Sequence, residues 1–396
     1  MGQSKKLRVL FLSHDTGMGG AESALLTLLS GLDREIFEPY VILPYEGRLI
    51  DEIEKLQIPY FIRTISHWIP YRLNFGWLHF WNFLKTLRAR TWAISNLIER
   101  YSIDLVYSNT VTCIDGAIAA YLTKRPHIWH IHEHLRGNSD VKPYIPYILI
   151  PWIVSAFSKH IVVVSKSISD ALNIRGIVRK TSIVHTGIDI ERFSACQRHA
   201  TVRDELEVDD QCKIIAIVGA INPLKGHLTF IKSARIVKER IKGVVFIIVG
   251  RGKTELEENL KQLVADYGLK ESIYFLGWRA DIDRIMRSID LLVIASESEG
   301  LPTVAIEAMA SGKPVVSTKC GGSEDLIVQG ETGLLVPIGD HVSMATAIIK
   351  IITDNSISRH FATAGRKLTE TFFSREAYIR NIQNIILAVS KTHGLI

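Results

Sequence analysis

The stretch Ser296-Glu-Ser-Glu-Gly-Leu-Pro-Thr-Val-Ala-Ile-Glu-Ala-Met-Ala-Ser-Gly-Lys-Pro-Val-Val-Ser-Thr318 decides how this chain reads. It sets two carboxylates, Glu299 and Glu307, on either side of a Gly300-Leu-Pro-Thr303 turn that ends one element and begins a helix. Pro302 suits the first helical position, where a missing N–H costs nothing. The amides of Gly300, Leu301 and Thr303 then point out of a helix N-terminus, which favours an anion. Glu299 lies just outside that terminus and Glu307 little more than one turn inside it. The arrangement suits a ligand with phosphate and hydroxyl-rich rings, the shape of a nucleotide-sugar. The plainer reading is a strand–loop–helix whose glutamates cap a helix and solvate a face.

The flanking text favours the first reading. Asp290–Ser296 reads as a buried strand, Lys313–Thr318 as the next, and Gly321-Gly322-Ser-Glu-Asp opens a further helix. A Glu, seven residues, a second Glu, then small-residue-Gly-Lys-Pro-Val-Val resembles the signature of the retaining glycosyltransferases of family 4 (glycosyl transferases group 1). The resemblance implies the GT-B fold: two Rossmann-like, doubly wound α/β domains facing each other across a cleft, with a C-terminal helix crossing back to the N-domain.

Length and composition agree with two domains. A chain of 396 residues exceeds one ordinary core, and 47% hydrophobic with 22% charged residues describes a globular protein. The four cysteines (Cys113, Cys196, Cys212, Cys320) show no paired or metal-type spacing, which reads as reduced thiols in a cytoplasmic protein. Met-Gly-Gln-Ser-Lys-Lys leads straight into a strand, so no signal peptide is expected. Residues 1–195 hold 22 Lys and Arg against 17 Asp and Glu, and six of the seven tryptophans. A basic, aromatic-rich half points to an anionic surface or a glycan-bearing partner, or merely to a large core and a solvated shell. With no binding motif beside the charge, no nucleic acid is expected.

The first half alternates strands and helices, which implies a parallel sheet with ligands at the carboxyl ends of its strands. Leu7–Ser13 is the first strand, followed by the Gly17/Gly19/Gly20 loop and a helix over Ala21–Leu29. Further strands are expected at Tyr40–Leu43, Leu105–Tyr107, His127–His132, Ile161–Ser165 and Ile183–His185. No Gly-Lys-Ser/Thr follows the glycines, so the loop is not a P-loop. Gly19-Gly20-Ala21-Glu22 instead resembles the family 4 loop that faces donor phosphates and acceptor. In His127-Ile-Trp-His-Ile-His-Glu-His134 the spacing of His130, His132 and His134 invites a metal, and a structural role suits any one of them. The resemblance implies a sugar-contacting histidine here, matched by His132-Glu133, with His130 the alternative one register away.

The second half repeats the alternation: strands at Lys213–Gly219, Val244–Gly250 and Ile273–Gly277, helices at His227–Arg240 and Asp281–Ser288. Family 4 enzymes carry Gly-Arg-x-x-x-x-Lys-Gly after the first of these strands, both basic side chains clamping the donor diphosphate. Lys225-Gly226 matches, but Ala220 occupies the arginine position. Arg251, after a neighbouring strand, is a candidate to compensate.

The expected organisation is residues 1–195 as an acceptor-binding domain and 196–211 as linker. Residues 212–372 form a nucleotide-sugar-binding domain and 373–396 a helix packing on the N-domain. The aromatic and basic segment His67–Arg90 reads either as an interfacial contact with an anionic membrane surface or as a lid or core packing. Pro143–Ser158 lacks charge but is too short and proline-broken to span a bilayer.

The resemblance implies transfer of a hexosyl-type sugar, with retention, from a nucleoside diphosphate donor to a saccharide or lipid-linked acceptor. The setting is surface polysaccharide or glycolipid assembly, in the cytoplasm, with a peripheral place at the cytoplasmic membrane face as the alternative that the His67–Arg90 segment leaves open. Catalysis falls to His132, Lys225 and Glu299, and donor binding to Gly19, Gly20, Lys225, Arg251, Glu299, Gly300, Leu301, Thr303 and Glu307. Lysine and helix-terminus amides stand where a metal would, so neither metal nor cofactor is expected. A nucleotide-sugar epimerase or hydrolase, and a non-catalytic donor-binding scaffold, are the rival readings.

Overall fold

The computed structural model describes residues 6–70, 76–135, 141–172, 180–194 and 202–395. Tyr71–Phe75 of the aromatic segment, and Cys196 with the rest of 196–201 in the expected linker, lie outside them. The chain divides into two compact units, Met1–Gly187 with Arg375–Ile396, and Ile188–Ser374. The two crossings lie side by side: Ile188 N–H donates to the Phe373 carbonyl at 2.9 Å, and Ile188 bridges Ser374.

The first unit holds strands β1 (Leu7–Leu12), β2 (Phe37–Leu43), β3 (Tyr60–Ile62), β4 (Leu105–Ser108), β5 (His127–Ile131), β6 (His160–Val163) and β7 (Thr181–Ile183). They form one sheet in the order β3-β2-β1-β4-β5-β6-β7, and every pairing is parallel. The second unit holds β8 (Lys213–Val218), β9 (Val244–Val249), β10 (Ile273–Gly277), β11 (Leu291–Ile294), β12 (Val315–Thr318) and β13 (Gly333–Val336). Its sheet, also parallel, runs β10-β9-β8-β11-β12-β13. Both are doubly wound, α/β, Rossmann-like sheets. The strand order reverses between β1 and β4 in one and between β8 and β11 in the other, the places where such sheets bind ligands.

The sequences explain the choice of strand. Leu-Arg-Val-Leu-Phe-Leu in β1 and Val-Val-Phe-Ile-Ile-Val in β9 are near-continuous apolar runs, as strands covered on both faces require. Phe230, Phe246 and Ile348 pack on one face of the second sheet, and Ile285, Ile306 and Met309 on the other. The helix Arg375–Thr392 belongs to the first unit, where Tyr378, Ile382 and Ile386 join Leu25, Leu28 and Phe11 in one core. At Gly31 a Cβ would lie 2.2 Å from Ile379 Cδ1, so a larger residue there would force that side chain to turn aside.

Several details differ from the sequence reading. The strands β3 and β13 were not expected. β7 starts and ends two residues early, though Val184 N–H still bonds the Val163 carbonyl at 2.9 Å. The helix expected behind Gly321-Gly322 is only a single 3-10 turn, Gly322–Asp325. Pro302 precedes the first helical residue, Thr303, as its N-cap. Its ψ of 94° is extended, so the helix begins one residue late.

The C-terminal helix contributes fully buried side chains to the first core, so Ile382→Ala should destabilise that unit by about 2–5 kcal/mol. Equilibrium urea unfolding measures this, and a change below about 1 kcal/mol would show the helix to be dispensable.

Candidate functional site

In the second unit the polar side chains gather where β8 and β11 end. The chain leaving β8 makes a short 3-10 turn, Pro223–Lys225, capped by Asn222 Oδ1, which accepts from Lys225 N–H at 3.1 Å. Gly226 follows with φ +67°, and a Cβ there would sit 2.0 Å from the Ala295 carbonyl oxygen. Only glycine allows this approach. It also lets Glu297 N–H bond the Leu224 carbonyl at 2.7 Å, locking the two loops together. Lys225 Nζ then meets Glu299 Oε1 at 2.6 Å, and Ser296 Oγ donates to the same oxygen at 2.6 Å.

The turn after Glu299 is fixed from its other side. Glu299 N–H donates to the Cys320 carbonyl at 2.7 Å, and Gly322 N–H returns to the Glu299 carbonyl at 2.9 Å. A Cβ on Gly322 would lie 2.1 Å from the Gly300 carbonyl oxygen. Among the described residues, the amides of Gly300, Leu301 and Thr303 donate to no protein acceptor. They stand at the start of the helix Thr303–Ala310 as unclaimed donors with the positive end of the helix dipole behind them.

Glu307 lies one turn into that helix, and its carboxylate has no hydrogen-bond partner among the described residues. Burial pushes its pKa up to about 7, opposed by the positive charge of Arg192. Arg192 is itself held by Asp283 Oδ1 at 3.1 Å and the Ala280 carbonyl at 3.3 Å. The sequence reading passed over Arg192.

Ala220 is exposed just past β8 and presents no charge. The loop Gly250–Gly252 runs beside it: Ile221 N–H bonds the Arg251 carbonyl at 2.9 Å, and Ile221 pairs with Gly252. Cβ atoms on Gly250 and Gly252 would lie 1.9 Å from the Gly219 carbonyl oxygen and 2.1 Å from that of Ile221. Arg251 is thus one loop away from the position that lacks its arginine, its side chain lying beside Gly277.

The first unit carries its own polar cluster past β1, β4 and β5. Gly19 caps the helix Gly20–Ser30, and space around Gly20 is open. Asp15 Oδ1 pins the loop before it, accepting from Thr16 N–H at 2.6 Å, Gly17 N–H at 3.0 Å and Tyr45 O–H at 2.6 Å. Glu22 is buried in the first turn, its carboxyl pKa raised by burial, 3.4 Å from His14 Nδ1. His132, just beyond β5, lies 3.1 Å from Asn109 Oδ1 through Nε2, while Asn109 Nδ2 holds the Ala21 carbonyl at 2.8 Å. Burial and the nearby His14 push the His132 pKa down to about 3, so the ring is neutral.

His130 and His132 share a face, their rings 4.0 Å apart, but differ in access. His130 is fully buried, bonded to Tyr107 O–H at 2.8 Å and packed against Tyr378. His132 alone of the two is part-exposed at the strand end. Glu133 turns back to accept from Thr110 Oγ1 and from Val111 N–H at 3.3 Å. Among the described residues no three His, Cys, Asp or Glu side chains converge as a metal site. Asn109 and His14 were missed in the sequence, although Asn109 directly follows β4 and His14 lies two residues past β1 at the topological switch, positions that flag polar residues.

The profile described as Glycosyltransferase Family 4 matches residues 18–192, and that of Glycosyl transferases group 1 matches residues 199–368. The lipopolysaccharide core biosynthesis glycosyltransferase LpsE of Rhizobium meliloti is 33% identical over 189 residues, 48% of this chain and 54% of its own. The chain thus matches about half the length of that relative. The UDP-Gal:alpha-D-GlcNAc-diphosphoundecaprenol alpha-1,3-galactosyltransferase of Escherichia coli is 24% identical, covering 89% of this chain and 92% of its own. HepE of Anabaena, crystallised with UDP, superposes with a TM-score of 0.81 at 23% identity, covering 96% of this chain and 100% of its own. That similarity places the fold among GT-B glycosyltransferases.

Glu307 also predicts a pH signature. Its folded pKa of about 7 lies above the ordinary 4.5, so the folded state holds a proton that the unfolded chain has lost between those values. Stability therefore falls as pH rises through that window. Glu307→Gln should be more stable than wild type at pH 8, by up to about 3 kcal/mol, and equally stable at pH 4. Thermal unfolding at the two pH values checks this, and equal melting temperatures at pH 8 would contradict it.

Proposed function

The chain belongs to the family 4, group 1 glycosyltransferases, and from that premise we propose that it moves a hexosyl-type sugar from a nucleoside diphosphate donor to a saccharide or lipid-linked acceptor, with retention. The acceptor belongs to surface polysaccharide or glycolipid assembly. The observation that carries the donor half is Lys225 on Glu299 at 2.6 Å, next to unclaimed amides at a helix N-terminus. The UDP-galactose and diphosphoundecaprenol in the name of the E. coli relative, and the UDP-glucose in another HepE crystal, fit a nucleotide-sugar donor and a lipid-linked acceptor.

The second unit, residues 188–374, takes the donor. Its diphosphate sits on the Gly300, Leu301 and Thr303 amides and on Lys225. Glu299 shares its carboxylate between the lysine and hydroxyls of the transferred sugar. Glu307, whose carboxylate has no hydrogen-bond partner among the described residues, accepts from the ribose hydroxyls, and Arg251 supplies the cation missing at Ala220. In the first unit, Gly19 and Gly20 leave open backbone for the phosphates or acceptor, and the neutral His132, oriented by Asn109, contacts the sugar. As the glycosidic bond breaks, charge builds on the departing diphosphate. The acceptor hydroxyl oxygen bonds to the anomeric carbon from the same face as its proton passes to a departing phosphate oxygen, so no protein nucleophile is needed. The protein contributes position and preorganised charge. Lysine and amides carry the electrostatic load, so the scheme calls for neither metal nor cofactor.

A non-catalytic donor-binding protein is the second reading, favoured by the uncharged Ala220. The readings separate on one experiment. Purified protein is screened by thermal shift against UDP, GDP and their sugars, and donor turnover is followed in wild type and Lys225→Ala. One nucleoside diphosphate should raise the melting temperature, and Lys225→Ala should cut turnover by about 10²-fold or more. Glu307→Ala should weaken that diphosphate by about 1.5–3 kcal/mol, whereas Glu299→Ala should spare its affinity and lower turnover. Near-normal transfer in Lys225→Ala would overturn the site, and binding without turnover would favour the scaffold.

A further inference from the structure

The helix Trp77–Arg100 of the first unit buries Phe83, Arg90, Ile94, Leu97 and Ile98 along one side. Its opposite side is unusual. Trp77 is 70% exposed, Trp81 52% and Trp92 66%, with Leu84 at 41%. Lys85 and Arg88 are exposed among them. At about 100° per residue, these six side chains fall within an arc of about 100°. Solvent-facing helix surfaces are ordinarily polar, and an exposed stripe of three tryptophans and a leucine marks an interaction surface. The rings at its start cluster, Trp77 lying 5.4 Å from Trp81 and 5.9 Å from Phe80.

The charge on this face has one sign. The helix contains no carboxylate before Glu99. Arg90 is neutralised from below by Asp115 at 2.8 Å, while Lys85 and Arg88 form no ion pair among the described residues. Lys85, Arg88 and Trp92 line one wall of a groove of about 670 Å³ whose other wall is Leu122 and Thr123, at the end of the helix Asp115–Leu122. Tyr121 and Leu122 are exposed beside it, at 67% and 60%.

We propose that this face docks the first unit onto an anionic phospholipid surface. The tryptophan rings lie at headgroup depth, Lys85 and Arg88 engage lipid phosphate, and the groove receives a headgroup. Indoles combine an apolar body with one polar edge, and cationic side chains extend along apolar surface with their heads in the polar layer. A second copy fits the face poorly, because a two-fold contact through it would bring the two Lys85–Arg88 pairs together. Among the described residues no helix is long and apolar enough to cross a membrane, so the contact is peripheral. This deepens the lipid-linked-acceptor reading, since a docked enzyme meets such an acceptor where it resides.

Co-sedimentation of the full chain with vesicles tests the surface. One set is phosphatidylcholine alone and the other contains phosphatidylglycerol. Wild type should sediment with the anionic vesicles and be released by salt. The double variant Lys85→Glu/Arg88→Glu should bind them at least about tenfold more weakly, as two lost cation contacts require. The triple variant Trp77→Ser/Trp81→Ser/Trp92→Ser should lose binding as well, with both variants keeping the wild-type melting temperature. Wild type that ignores anionic vesicles, or variants that bind them undiminished, would overturn the proposal. So would self-association of wild type that the tryptophan variant abolishes. Vesicle binding by a protein that shows no response to any nucleoside diphosphate would remove the transferase reading and leave this surface standing.

Discussion

The contact of Lys225 with Glu299 depends on how closely two backbone segments can approach. Gly226 lets the loop after β8 come within reach of the Ala295 carbonyl, and Gly322 lets a second loop close on Gly300. Each position would bring a Cβ to about 2 Å from a carbonyl oxygen, a distance no side chain tolerates. The turn bearing Glu299 is therefore gripped from both sides, and the lysine, the carboxylate and the helix amides keep fixed relative positions. A site built on rigid strand ends in this way has little reorganisation left to do when charge develops.

The same rigidity concentrates electrostatic tension. Among the described residues the Gly300, Leu301 and Thr303 amides have no acceptor, and burial raises the Glu307 pKa to about 7. In the first unit, Glu22 is buried close to a histidine, and His132 is forced to stay neutral. Unsatisfied donors and displaced pKa values gathered at strand ends cost stability, and they mark where a ligand can supply the missing partners.

The sequence revealed the sheets wherever strands were long and apolar, as in β1, β8 and β9, because burial on both faces leaves little other choice of residue. It concealed β13, whose Gly-Leu-Leu-Val is too short to show a period, and it suggested a helix after Gly321-Gly322 where packing against Gly300 permits one turn. Glu299, Glu307 and Lys225 were visible through their motif spacing. Asn109 was not, since an asparagine after a strand resembles any turn residue until its neighbours in space are known. The relation of Arg251 to Ala220 is likewise a matter of adjacent strand ends, β8 and β9 in register, that linear distance hides. That His130 is buried and His132 part-exposed is also set by tertiary packing, which a two-residue repeat does not show.

The central claim is that the ends of β8 and β11 hold a nucleoside diphosphate. A crystal structure of the full chain soaked with UDP-glucose addresses it without knowledge of the acceptor. The account predicts diphosphate oxygens at hydrogen-bond distance, about 2.7–3.1 Å, from Lys225 Nζ and from the Gly300–Thr303 amides, with the ribose on Glu307. A nucleotide seated elsewhere on the second unit, with Lys225 still turned to Glu299 and the amides empty, would contradict it.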